Sequence, residues 1–269
     1  MPSIGSVSYL NATPLVDGLE HDPSVRIDFD VPSNLLGGLL NRATDIALIP
    51  VIDYQTAHQE LCIVPSGGIG SDGETLTVRV FSRAPISEIR QVAVDGDSRT
   101  SVALLQVIFH DVYGTSLELS PLAKTALPNH LPEDVDAVLL IGDKVVSSAP
   151  RLPIQLDLGE AWKDLTGMPF VFATWMARTG TDLGDLPRKL TRRRKMNQGR
   201  IAEIAAAHAT DAGWPLDLAI QYLGTLLRYD LGQRELKAIS MFWERCRDLG
   251  IITGLRPLVI HDREHTRDR

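Results

Sequence analysis

The first half of the chain alternates apolar runs of strand length with stretches of helical spacing. Residues 4–7 predict a short buried strand, and Pro14 suits the first turn of a helix reaching to about Glu20. Residues 25–31 alternate apolar and polar side chains, the period of a strand. After Pro32-Ser33-Asn34, the leucines at 35, 36, 39 and 40 fall on one helical face. Residues 45–49 form another apolar run, ended by Pro50. Strand, helix, strand in that order implies parallel pairing in an open α/β sheet.

Extended segments are predicted at 61–64 and 75–82. The stretch between them, Gly67-Gly68-Ile69-Gly70-Ser71-Asp72-Gly73, reads as a glycine-rich turn. A second alternation comes next, with a strand at 92–94, a helix over 100–113, strands near 117–119 and at 137–141, and an apolar strand at 170–176. From Leu183 the pattern is helical. Ile201, Ile204, Ala205 and His208 share one face, Leu216, Ile220, Leu223, Leu226 and Leu227 share another, and Gly250 stands at a C-cap. The long strands at 75–82 and 170–176 would join two lobes twice. Residues 1–82 plus 173–269 then form the first lobe and 83–172 the second, with a ligand cleft between them at the strands' carboxyl ends.

Polar residues just beyond each strand narrow the chemistry. Ser8-Tyr9-Leu10-Asn11-Ala12-Thr13-Pro14 comes after the first, Pro32-Ser33-Asn34 after the second, Asp97-Ser98-Arg99-Thr100-Ser101 after the strand at 92–94, and Gly142-Asp143 after the strand at 137–141. Hydroxyl and amide side chains at helix starts satisfy orphan backbone amides, so capping accounts for any one of these sites alone. Three on one edge also suit a carboxylate, because helix N-termini carry free N–H groups and partial positive charge. Ser98, Arg99, Thr100 and Ser101 combine three hydroxyls, a dipole end and a guanidinium, and both readings stay open there. Gly70 and Ser71 are further candidates, through their backbone amides. Asp143 reads as a structural residue that hydrogen-bonds a turn.

Composition sets outer limits. The chain has 269 residues, 44% hydrophobic and 23% charged, enough for a sizeable core in two modest lobes. A formal charge of −7 argues against nucleic acid as partner, while leaving room for a locally positive anion site. No apolar run has the length of a membrane span and no leader pattern opens the sequence, so the expected location is cytoplasmic. Cys62 and Cys246 match no metal or redox spacing, and the seven histidines are scattered, so neither a metal nor a cofactor is expected. His58 and His110 read as surface or C-cap residues, the run Arg192-Arg193-Arg194-Lys195 as a solvated helix face, and 261–269 as a solvated tail. No general base stands in the polar clusters, and no feature selects an oligomeric state.

Ser8-Tyr9-Leu10-Asn11-Ala12-Thr13-Pro14-Leu15 resembles the opening motif of the chorismate dehydratases of the futalosine route to menaquinone. The resemblance continues, in the family's order, through Asp45-Ile46-Ala47-Leu48-Ile49-Pro50, Ile69-Gly70-Ser71-Asp72-Gly73, Asp97-Ser98-Arg99-Thr100-Ser101, Asp157-Leu158-Gly159-Glu160-Ala161-Trp162 and Thr166-Gly167-Met168-Pro169-Phe170-Val171-Phe172-Ala173. It implies an α/β fold of the type II periplasmic binding protein kind, with two lobes of open mixed sheets, two hinge strands and C-terminal helices. It also implies loss of water from chorismate, a small dianion, to give 3-[(1-carboxyvinyl)oxy]benzoate. Asn11 then positions the reacting groups, Ser33, Ser71, Ser98, Arg99, Thr100 and Ser101 bind carboxylates, Ser8 and Tyr9 shape the pocket floor, and Thr77 joins the substrate contacts. The alternatives on this fold are a solute-binding protein for a small anion, another enzyme of the same route, and a ligand-sensing regulator.

Overall fold

The computed structural model describes residues 1–122, 131 and 134–261, apart from the Ser33 side chain, so tail residues 262–269 lie outside the described residues. The chain opens with β1 (Ser3–Val7), a 3-10 turn at Leu10–Ala12 and α1 (Thr13–Val16). Then come β2 (Arg26–Asp30), α2 (Pro32–Leu40), β3 (Ile46–Pro50), α3 (Val51–Thr56) and β4 (Leu61–Ser71). The next group is β5 (Val78–Ser82), β6 (Gln91–Val94), α4 (Arg99–Tyr113), β7 (Glu118–Pro121), β8 (Ala137–Ile141), α5 (Lys144–Ser147), β9 (Ile154–Asp157) and α6 (Leu158–Thr166). The chain returns through β10 (Phe170–Arg178) to α7 (Leu186–Gln198), α8 (Ile201–His208), α9 (Leu216–Gln221), a π-helical turn at Tyr222–Leu226, β11 (Leu227–Arg228) and α10 (Gln233–Asp248).

Two mixed sheets result, one in the order β11-β4-β10-β3-β1-β2 and one in the order β7-β6-β8-β5-β9. In the first, β1 pairs in parallel with β2 and β3, and β10 runs antiparallel between β3 and β4. β1 and β3 are buried at every position, as central strands covered on both faces should be. β2, at the edge, is mostly exposed. In the second sheet Ala137, Leu139 and Ile141 of β8 face the large shared core, while Val138 and Leu140 turn to a smaller cluster with Phe81 and Val145. That split is the two-residue period of a strand covered on both sides. The C-terminal helices pack on the larger lobe. Trp243 stacks on Tyr54 with centroids 4.8 Å apart, and its Nε1 donates to the Val51 carbonyl at 3.0 Å.

Several sequence expectations need correcting. The glycine-rich stretch is strand through Ser71, and only the residues after it turn. A Cβ on Gly68 would lie 2.6 Å from the Ala173 carbonyl oxygen, and one on Gly70 would lie 2.5 Å from that of Phe170. Glycine here lets two backbones approach closely, not turn. α1 stops at Val16, well before Glu20, because Asp17-Gly18 swings the chain away with Gly18 at φ +83°. The C-terminal third includes β11 and a bridge from Ile63 to Ile260, so it is not wholly helical. Arg194 is buried, its Nε donating to the Ser66 carbonyl at 3.0 Å, so the basic run is not a purely solvated face. The lobe boundary expected from sequence falls after residue 82 and before 173. The pairing seats β5 in the second sheet and Phe170–Phe172, within β10, in the first.

The chain therefore crosses between sheets at 72–77 and again at 158–169. Asp157 ties the two crossings together. Its carboxylate caps α6 by accepting from the Gly159 and Glu160 amides, at 3.0 and 3.1 Å, and also accepts from Thr75 and Leu76 at 3.0 and 2.8 Å. Burial pushes this carboxyl above the usual carboxylate range, and the amides of Thr75, Glu160 and Leu76 with nearby Arg79 pull it back.

Candidate active site

A cleft opens between the sheets, with about 590 Å³ of empty space when the part open to solvent is counted. Its walls are largely apolar, with Val7, Leu48 and Ile69 from the first lobe and Val78 and Ile141 from the second. The polar groups reaching it are Tyr9, Asn11, Thr75, Thr77, Ser98, Ser101 and Tyr222. No lysine, arginine or histidine lines it, among the described residues. An anion here would meet hydroxyls, amides and helix starts rather than a full positive charge.

Asn11 stands on the 3-10 turn that follows β1. The turn's flanking residues, Tyr9 and Ala12, make no side-chain cap. Its Oδ1 is buried without a hydrogen-bond partner. An orphaned buried acceptor costs roughly 1–3 kcal/mol, a cost recovered when a ligand donor meets it. Tyr222 begins the π-helical turn, and its hydroxyl lies 2.6 Å from Thr77 Oγ1, with the Asn11 side chain also hydrogen-bonding to it. Burial raises the Tyr222 pKa far above that of a free phenol, so it stays a neutral donor and acceptor.

The opposite wall is built by the start of α4. Ser98 is the N-cap, accepting from the Ser101 amide at 3.2 Å, and the two hydroxyls lie 2.9 Å apart. The amides of Arg99 and Thr100 lack intrahelical acceptors by the geometry of a helix start. Arg99 itself turns away from the cleft. Its Nε is 3.0 Å from Asp53 Oδ1 and its Nη2 donates to Oδ2 at 3.0 Å. Burial pushes the Asp53 carboxyl up to about 6, with the Arg99 charge and hydrogen bond pulling the other way. Arg99 thus pairs with a buried carboxylate and does not line the cleft. The Thr100 hydroxyl accepts from the Ile52 amide at 3.2 Å.

Tyr9, Asn11, Thr77, Ser98 and Ser101 are brought together in the cleft. Ser8 is exposed on an outer groove instead. Gly70 and Ser71 lie in β4 against β10, outside the cleft lining, so strand pairing rather than ligand contact occupies that segment. The Ser33 side chain lies outside the described residues, although its neighbour Pro32 lines the cleft. Sequence reasoning missed Tyr222, Thr75 and Phe172. Tyr222 lies between apolar helical positions, and only the chain's return to the cleft gives it a polar neighbour.

Near Tyr9, one lysine bridges two carboxylates. Lys144 Nζ donates to Asp95 Oδ2 and Asp97 Oδ2, each at 2.7 Å, and Tyr9 donates to Asp97 Oδ2 at 3.2 Å. Burial works against the Lys144 charge, but the two carboxylates outweigh it and raise the pKa overall. Tyr9 is pushed up to about 12, by burial first and then by Asp97. Cys62 and Cys246 are free, buried thiols.

Comparison with known proteins fits this architecture. The chain is 27% identical over 260 residues to the chorismate dehydratase of Thermus thermophilus, covering 90% of this chain and 93% of that one. A solved structure from Archaeoglobus fulgidus superposes with a TM-score of 0.70 at 15% identity, covering 93% of this chain and 98% of that one. The periplasmic aliphatic sulphonate binding protein SsuA of Escherichia coli superposes with a TM-score of 0.64 at 14% identity, over 97% and 94% of the two chains, which fixes the fold alone. No helix among the described residues is long and apolar enough to cross a membrane. A sequence profile for menaquinone biosynthesis matches residues 2–248, and the chain belongs to that family.

Proposed function

We propose that this protein is a chorismate dehydratase, a hydro-lyase that removes water from chorismate to give 3-[(1-carboxyvinyl)oxy]benzoate for the futalosine route to menaquinone, acting in the cytoplasm. The observation that carries the reading is the buried, unpartnered Asn11 Oδ1 in the cleft between the sheets, in a chain of the menaquinone family. The product ring is aromatic, so the elimination is strongly downhill and needs orientation and exclusion of water more than a strong base.

In the proposed step a ring C–H bond breaks, its electron pair completes the aromatic ring, and the C–O bond to the leaving hydroxyl breaks. The substrate's own enolpyruvyl carboxylate accepts the proton and passes it to the departing hydroxide, so that water leaves and the carboxylate is restored, since the cleft offers only neutral groups. Asn11 holds the reacting groups, while Ser98, Ser101 and the start of α4 receive a carboxylate. The two sheets act as lobes that close over the substrate, along the crossings tied by Asp157. The test is to mix purified protein with chorismate and follow ultraviolet absorbance and product mass. An aromatic product one water lighter supports the reading, and none from folded, monodisperse protein overturns it.

A further inference from the structure

Contacts between the lobes close a ring beside the cleft, and none of its members is a charged group in the cleft itself. Asp143 follows β8 in the second lobe. Its Oδ1 accepts from Trp214 Nε1 at 2.9 Å, and its Oδ2 lies 3.4 Å from the Leu10 amide, one residue before Asn11. Trp214 is buried and stacks on Tyr222, with centroids 4.7 Å apart and planes 19° apart. The Tyr222 hydroxyl meets Thr77 Oγ1, and the Thr77 carbonyl accepts from the Gly142 amide at 2.9 Å. Gly142 adjoins Asp143, which completes the ring. Two of its links, Asp143 to Trp214 and Tyr222 to Thr77, pass between the lobes and break if the lobes part.

Asp143 reads from sequence as bonding a turn, yet both its oxygens engage the other lobe. Tyr222 opens a π-helical turn, a distortion that recurs at functional sites. If Asn11 donates to the Tyr222 oxygen and Tyr222 donates to Thr77, the Thr77 hydroxyl proton and Asn11 Oδ1 remain for the ligand.

We infer that Asp143 and Trp214 form a closure latch, positioning residues that hold Tyr222 between Asn11 and Thr77 when the lobes are shut. The inference rests on the chorismate reading for its kinetic test, and its spectroscopic test needs no substrate. Trp214→Phe keeps a ring on Tyr222 and deletes the indole N–H, while Asp143→Ala deletes the acceptor. Each is expected to lower kcat about tenfold or more with KM changed less than about threefold, since an open site misplaces groups without losing substrate contacts. The double variant should be no slower than the slower single, because both changes break one link. Asp143→Asn, which keeps an acceptor oxygen, should restore most of the rate lost in Asp143→Ala.

In ¹H–¹⁵N spectra, the Trp214 indole signal, identified by its loss in Trp214→Phe, should move upfield in Asp143→Ala. The same spectra show whether each variant is folded, and Trp214→Phe alone carries the kinetic test if Asp143→Ala is not. Rates within twofold of wild type in the folded single variants, multiplying effects in the double, or an unmoved indole signal would each overturn the latch. A wild-type protein that ignores chorismate while the indole signal shifts would sink the substrate reading and leave the latch standing.

Discussion

Asn11 and Ser98 occupy equivalent places on the two walls of the cleft, each just beyond the carboxyl end of a parallel strand, β1 and β6. They use that place in opposite ways. Ser98 spends its hydroxyl on the helix it begins, accepting from the Ser101 amide. Asn11 sits on a turn without a side-chain cap and keeps a buried carbonyl oxygen unpaired. A capped helix start makes a stable wall whose backbone amides can receive an anion, whereas an uncapped amide holds local stability in reserve for a ligand. The two sites share residue chemistry, and what separates them is where their hydrogen bonds already go.

The sharpest way to break this comparison is Asn11→Ala. Its expected effect is the largest, a fall in kcat/KM of about 100-fold or more, the scale seen when one preorganised polar group is lost from an active site. Stability should change by no more than about 1 kcal/mol, because the change removes an orphaned acceptor along with the Asn11 hydrogen bond to Tyr222. Near-wild-type turnover, or a clear drop in melting temperature, would make Asn11 a structural turn residue like its counterpart.

Asp157 extends the capping side of the comparison. It begins α6 as Ser98 begins α4, but also holds the amides of Thr75 and Leu76 on the other crossing. Asp157→Ala strands several buried N–H groups at once, and chemical denaturation should show a loss of about 3 kcal/mol. A loss no larger than that of an ordinary cap would mean that the crossings are held together elsewhere.

How far the sequence discloses these differences depends on whether a residue's partner is near in the chain. The strands at 137–141 and 170–176, and the helix at 100–113, are legible because periodicity is a local property. The polar turns after β1 and β6 are legible as clusters for the same reason. The pairing of Arg99 is not legible because its carboxylate, Asp53, lies 46 positions away on α3. Gly68 and Gly70 are misread because glycine serves both turns and close strand approach, and the identity of the neighbour decides between them. Tyr222 is missed outright, since its partner Thr77 is 145 positions earlier.

Asp53 and Arg99 offer a pH-dependent test of their pairing. The folded carboxyl titrates at about 6 against 3.8 for the free side chain, so the native state holds this proton more tightly than the unfolded chain does. Ionising Asp53 therefore costs stability, progressively between about pH 4 and pH 6, and the cost is constant above that. In Asp53→Asn that contribution vanishes. The stability of the variant relative to wild type should rise by about 3 kcal/mol across that window. A flat difference in denaturation measured through the window would mean that Arg99 fully compensates the buried charge.

Ser98→Ala carries the smallest expected effect and tests the comparison from its other side. Losing an N-cap side chain costs about 1 kcal/mol, and Ser98→Gly should cost only a few tenths, because glycine leaves the helix start open to water. Turnover should fall less than tenfold in both, since the backbone amides at the start of α4 persist and supply the anion contact. The pair of substitutions separates two roles that one hydroxyl could fill. If Ser98→Gly preserves the helix yet turnover falls as far as in Asn11→Ala, the Ser98 hydroxyl itself is handling substrate. The two walls would then work alike, and the orphaned oxygen on Asn11 would lose its claim to be what distinguishes them.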